Sequence, residues 1–475
     1  MQSTTAAQLL EATGGTLLFG SAAQCVNEAE TDSRQCRPGM LFVPLIAARD
    51  GHDFIAPALA AGAEGTLCSR VPEKLEEGKF YIQVPDTRLA YKALAAWYRA
   101  QFHIPFVQIT GSVGKTTTKE MIAAVLSEHE KVLWTEGNFN NDIGVPKTLL
   151  RLSPEHRAAV IETGMNHFGE IRYLGEMVRP DIAVISNVGD AHIENLGSRE
   201  GILKAKCEIF DYLSPDGFAV LNGDDALLNT VHPEVPVYRC GEGENCNVRV
   251  TEVEDRGLDG VDCTVRTAQK AYRLSIPAPG RHMIYSAAMA AVIGEKLGLS
   301  PEEITAGVAH YEPAGERMRL IHRADGALIL SDCYNANPQS MAAAIHTLAR
   351  SGRERTAAVL GDMGELGALS PQAHYDMGMC CAREQIDAVV AIGEKAKEIA
   401  RGAREGGCEN VQWFSDRAAA LDTVLALAGR DTAVLVKASH AMAFPQLVEQ
   451  LTAARAAGAA DALVGNLVIA AITLI

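Results

Sequence analysis

Apolar residues along the chain fall into short runs alternating with helical spacing. In the first third, 41–45 and the short runs 66–68 and 81–84 predict strands. Residues 54–62 predict a helix closed by glycine. These form a small α/β domain over 1–82. A helical pattern over 89–102 leads to strand 106–109, and the helical spacing resumes at 119–126. Buried strands follow at 158–161, 182–186 and 218–221. Residues 247–276 alternate as a β-rich stretch, and 279–282 open a helix running to 297. From 313 onward strands at 327–330, 357–360, 388–392 and 433–436 are separated by helical patterns, which predicts a parallel, doubly wound sheet. The fold class expected is therefore α/β in three domains. They are a small N-terminal domain (1–82), a central P-loop-type nucleotide-binding domain with a mostly parallel sheet (83–312), and a C-terminal Rossmann-like domain (313–475).

One stretch gives the middle domain its chemistry. Between strand 106–109 and the helix that follows lie Gly111-Ser112-Val113-Gly114-Lys115-Thr116-Thr117. Strand, glycine loop and helix are what a phosphate-binding loop requires: backbone N–H groups close on phosphate oxygens and the helix N-terminus adds positive potential. Lys115 is placed to reach the terminal phosphates and the Thr116 hydroxyl to meet Mg²⁺. The loop is shorter than the common form, which has glycine where Ile109 stands. Glu162, at the C-terminal end of the next strand, is where P-loop enzymes hold Mg²⁺, usually through water.

Composition narrows the choice. The chain has 475 residues, 48% of them hydrophobic and 21% charged, with a formal net charge of −16. A large core is expected, and a nucleic-acid or anionic-membrane binder is not. An anionic substrate must then be met by local cations or a metal. Eleven scattered cysteines without a Cys-x-x-Cys pair suit a reducing cytoplasm. Residues 1–10 carry neither a basic region nor an apolar run, so no signal peptide is expected. The uncharged tail 462–475 would span about 21 Å as a helix, short of the ~30 Å hydrocarbon core. It reads as a packing segment, not a membrane anchor.

Polar loops at strand ends supply further candidates. His192 sits on a loop after strand 182–186 and reads as a metal ligand. Lys204 and Lys206 follow on a helix, as phosphate contacts or solvated charges. Thr31-Asp32-Ser33-Arg34 can hold a uridine or a phosphate, or form an ordinary turn. Three more loops follow third-domain strands, at 331–338, 361–367 and 437–440, where doubly wound sheets bind ligands.

These residues, in this order, resemble the Mur ligase family over nearly the whole chain. The carriers are 31–34, 110–118, 137–146, 162–171, 191–192 with 206–210, 332–338 and 361–367. The resemblance implies ATP and Mg²⁺ as cofactors, a cytoplasmic monomer and a role in peptidoglycan precursor synthesis. Runs 138–146 and 334–338 point to the member that joins D-alanyl-D-alanine to UDP-MurNAc-tripeptide through an acyl phosphate. It implies catalytic roles for Lys115, Glu162, His192 and Lys206. Lys206 stands where the family carries a carbamylated lysine, which with Thr116, Glu162 and His192 would hold metal. Arg319, Asn335 and Asp362 resemble nucleotide contacts, with Arg317 a rival to Arg319. Ser33 and Arg34 resemble contacts to the uridine diphosphate, and Asn138, Asn141, Asn166, His167 and Ser439 substrate-side residues. Three positions depart from the family pattern. Met283 and Ser286 replace asparagines, and His440 replaces an arginine. Two competing readings are a sister ligase adding another amino acid, and a P-loop ATPase without ligase activity.

Overall fold

The computed structural model describes residues 1–313, 315 and 317–453. The tail 462–475 lies outside the described residues. Three large sheets and a two-stranded antiparallel ribbon, Thr4–Thr5 with Cys25–Val26, organise them.

The N-terminal sheet has five strands in the order Thr16–Phe19, Phe80–Gln83, Gly65–Cys68, Met40–Phe42, Glu28–Glu30. All neighbours are parallel except the first pair. The strand expected over 41–45 stops at Phe42, two residues before Pro44, which has no N–H for a ladder. The helix expected over 54–62 divides into a 3₁₀ turn, Gly51–Phe54, and a helix, Ile55–Ala60.

The lead-in helix runs Thr87–Arg99, and the Asp86 side chain caps it by accepting from the N–H groups of Arg88 and Leu89. It delivers the chain to strand Phe106–Thr110, buried at every position. That strand is an interior strand, third from one edge of a nine-stranded sheet, parallel to both Ala158–Glu162 and Ile182–Ile185. Burial on both faces explains its continuous apolar character. The β-rich stretch resolves into Val248–Asp255, Val261–Arg266 and Ala271–Ile276, the last two added antiparallel at one edge. Helix Lys115–Ser127 packs through Met121, Ile122 and Val125 against helix Met283–Lys296 in one core cluster.

The third sheet has six strands in the order Arg319–His322, Leu328–Ser331, Thr432–Lys437, Arg355–Gly361, Ala388–Ile392, Asn410–Phe414. All pairs are parallel except the first. The four expected strands form its centre. The two added ones are half-exposed edges, where the apolar run that marks a buried strand is missing. Among the described residues no helix is long and apolar enough to cross a membrane.

Candidate active site

The C-terminal ends of the central strands open onto a cavity of about 1220 Å³. Its near wall is the glycine loop and its far wall belongs to the third sheet, through Arg317, Asp332, Tyr334, Asn335 and Lys437. Ser112 to Thr117 all line it. Gly111 lies beneath, where a Cβ would sit 1.9 Å from Ser186 Oγ. Gly114 is left-handed (φ 77°) and caps the helix, a conformation that favours glycine. The loop is braced from behind by Asn187. Its Oδ1 accepts from Ser112 N (3.1 Å) and Val113 N (2.8 Å), and its backbone carbonyl also accepts from Ser112 N. Ser186 Oγ donates to the Val113 carbonyl at 2.6 Å.

Glu162 is buried at the end of its strand. The Thr116 hydroxyl donates to Oε2 at 2.9 Å and Asn140 Nδ2 to Oε1 at 2.8 Å. The buried ammonium of Lys119 lies 4.0 Å from the same Oε2. Hydroxyl and carboxylate side by side are hard oxygen donors that fit Mg²⁺. Lys115 donates to the Gly111 carbonyl at 2.8 Å. It opens to the cavity, yet the walls exclude enough water to lower its pKa, an effect Glu162 partly offsets.

Lys206, at the end of helix Arg199–Cys207, is buried, and its side chain makes no hydrogen bond or ion pair with another described residue. Burial, reinforced by the like charge of Lys115, pushes its pKa well below the ordinary 10.5. His192 lines the cavity in a left-handed conformation (φ 65°). Its Nδ1 lies 2.5 Å from Glu365 Oε2 without hydrogen-bond alignment. The His192 ring holds the Glu365 carboxyl below the usual carboxylate range. Among the described residues no three His, Cys, Asp or Glu side chains gather into a metal cluster.

The remaining candidates divide. Asn335, Asn141 and Asn166 line the cavity. The Asn141 side chain is engaged in starting helix Gly144–Leu149, accepting from Gly144 N at 2.8 Å. Asn138 and His167 are exposed off the wall, and the residue that reaches Glu162 is Asn140. Asp362 lies behind the wall, its Oδ1 accepting from Ala396 N at 2.8 Å. Ser439 Oγ accepts from Gly364 N at 2.8 Å. Arg317 lines the cavity, its guanidinium 4.0 Å from the Tyr334 ring centroid, whereas Arg319 lies on the edge strand outside the wall. Ser33 and Arg34 form a 3₁₀ turn on the N-terminal sheet, away from this cavity, with Arg34 2.7 Å from Asp32. Of the departing positions, Met283 is buried, Ser286 Oγ lies 2.9 Å from Thr118 Oγ1, and the exposed His440 meets the Tyr334 ring edge-on at 6.3 Å.

A phosphate loop on one wall and a Rossmann-like third sheet on the other define an enzyme of the P-loop class that brings a nucleotide and a second reactant together in one cleft. Two family descriptions match: "Mur ligase middle domain" over residues 109–294 and "Mur ligase, glutamate ligase domain" over 316–440. The UDP-N-acetylmuramoyl-tripeptide–D-alanyl-D-alanine ligase of Escherichia coli is 38% identical over 95% of this chain and 99% of its own length. A crystal structure of MurF from Acinetobacter baumannii superposes with a TM-score of 0.86 at 33% identity, covering 95% of this chain and 99% of that one. MurF from Thermotoga maritima in complex with ADP gives 0.79 at 25% identity, covering 90% and 97%. The chain belongs to the Mur ligase family.

Proposed function

We propose that this protein joins D-alanyl-D-alanine to UDP-N-acetylmuramoyl-tripeptide at the expense of ATP, as a cytoplasmic monomer. The observation that carries this reading is the match to a ligase of that name over 99% of its length, with the glycine loop facing the third sheet across one cavity. The first domain (1–82) takes the UDP-sugar end through the Ser33–Arg34 turn, the second (83–312) takes ATP, and the third (313–475) brings the amine. The ADP complex of the Thermotoga relative supports nucleotide binding here.

The chemistry needs positioning and charge neutralisation more than covalent help. The γ-phosphoryl group passes from ATP to the terminal carboxylate of the tripeptide, giving an acyl phosphate and ADP. The free amine of the dipeptide attacks the acyl carbon. The tetrahedral intermediate then expels phosphate, which carries the proton lost from the nitrogen as hydrogen phosphate, and leaves the new amide. Lys115 and the loop N–H groups hold the phosphates. Thr116 and Glu162 would hold one Mg²⁺, and His192 with Lys206 a second. Magnesium bound there offsets phosphate charge. Burial favours the neutral Lys206 amine, the form that adds CO₂ to become a carbamate and lose a proton; the product is an anion suited to a metal.

Phosphate release from ATP and Mg²⁺ tests the proposal. Release that requires both UDP-MurNAc-tripeptide and D-alanyl-D-alanine, with a pentapeptide product by mass, is expected. Release indifferent to the dipeptide refutes it in favour of an ATPase or a sister ligase.

A further inference from the structure

Glu30 closes strand Glu28–Glu30 of the N-terminal sheet and is buried. A buried carboxylate survives only when its oxygens are satisfied. Here Oε1 accepts from Thr31 N (2.8 Å) and Asp32 N (3.0 Å), fixing the backbone that enters the Ser33–Arg34 turn. Oε2 meets Lys147 Nζ at 3.0 Å, and Oε1 lies 3.3 Å from the same ammonium. Lys147 comes from the central domain, on helix Gly144–Leu149. Its ammonium also sits 5.6 Å from the centroid of the Phe139 ring, within cation–π range. Phe139 adjoins Asn140, whose amide holds Glu162 at 2.8 Å. A single ion pair thus stands between the first-domain turn and the segment that positions the carboxylate of the glycine-loop site.

We propose that Glu30 and Lys147 are a positioning pair that keeps the UDP-sugar turn in register with the Asn138–Asn141 segment, so that sugar-nucleotide and Mg–ATP binding reinforce each other. This rests on the functional reading above for the turn and the loop. Neither residue touches a reacting atom. The ion pair carries the reinforcement because it is the charged bond joining the two segments, and coupling between sites requires a physical element that both of them bias.

Calorimetric titration of UDP-MurNAc-tripeptide, with and without Mg²⁺ and a non-hydrolysable ATP analogue, reads the coupling directly. In the wild-type protein the analogue should tighten precursor binding. In Lys147→Met and in the isosteric Glu30→Gln the precursor should bind about tenfold more weakly and the analogue should no longer help. The double variant should be no worse than either single one, and Lys147→Arg should restore most of the effect. Wild-type enhancement retained in both single variants overturns the pair, as does an equal loss of precursor and nucleotide binding with the enhancement intact. A wild-type protein that binds no UDP-MurNAc-tripeptide overturns the functional reading along with it.

Discussion

His192 of the central domain and Glu365 of the third lie 2.5 Å apart, Nδ1 to Oε2. The contact is not isolated. A Cβ on Gly367, which is left-handed (φ 49°), would lie 3.5 Å from Glu194, so the end of the 361–367 loop sits against the segment after His192. A carboxylate beside Nδ1 favours the tautomer with its proton there and leaves Nε2 with the lone pair. Glu365→Ala is therefore expected to lower kcat by roughly 10- to 100-fold with little change in KM for ATP. Glu365→Gln, which keeps an acceptor, should lose less. Steady-state ADP release measures both, and an undiminished kcat in the alanine variant shows that the contact has no catalytic use.

Asn140 supplies one of the two neutral hydrogen bonds on Glu162. Asn140→Ala should leave the carboxylate free to swing from Thr116 and raise the Mg²⁺ concentration needed for half-maximal rate by about tenfold, the scale of a lost bond to a charged group. A magnesium titration at saturating ATP decides this, and an unshifted midpoint removes Asn140 from the site.

Asn187 braces the glycine loop through two N–H groups. Asn187→Ala should raise KM for ATP with KM for the dipeptide unchanged. Asn187→Asp should be worse, since it keeps the acceptor but sets a negative charge behind the phosphates. Fluorescent nucleotide binding compares them; an aspartate variant that binds as well as wild type contradicts the placement.

Lys206 makes stability depend on pH. Its folded-state pKa is depressed, so between that value and the ordinary 10.5 the unfolded chain binds the extra proton and stability rises with pH. Below the depressed value the penalty is complete. In bicarbonate-free buffer Lys206→Met should raise the melting temperature more at pH ~7 than at pH ~9.5, while abolishing activity. Scanning calorimetry at both values checks the sign, and an equal gain at each counts against a strained lysine.

What could be read before the fold was known follows the range of the interactions. The glycine loop, Lys115 and Thr116 announce themselves because their chemistry is written in seven consecutive residues. Glu162 is legible from its place at a strand end. Asn187 is not, because its partners lie 74 and 75 positions away and an asparagine after a strand looks like any turn residue. Glu365 and Lys147 are hidden for the same reason: each acts only through another domain. Asn141 shows the reverse problem. An asparagine just before a helix often serves its own turn, and the Asn141 side chain accepts from Ile143 N and Gly144 N here, while its neighbour Asn140 turns toward the carboxylate. Short edge strands such as Asn410–Phe414 escape the hydrophobic pattern because they are half-exposed.

The cavity has walls from two domains, with the glycine loop on one side and Tyr334, Asn335 and Lys437 on the other. An inhibitor built to touch both walls recognises only molecules in which the walls face each other, so its apparent affinity scales with the fraction of the population in that arrangement. Compounds that fill the glycine-loop side alone escape that dependence but forgo the selectivity the third domain offers. Comparing the two kinds of compound across Glu365 variants would turn a medicinal-chemistry series into a gauge of how often the enzyme closes.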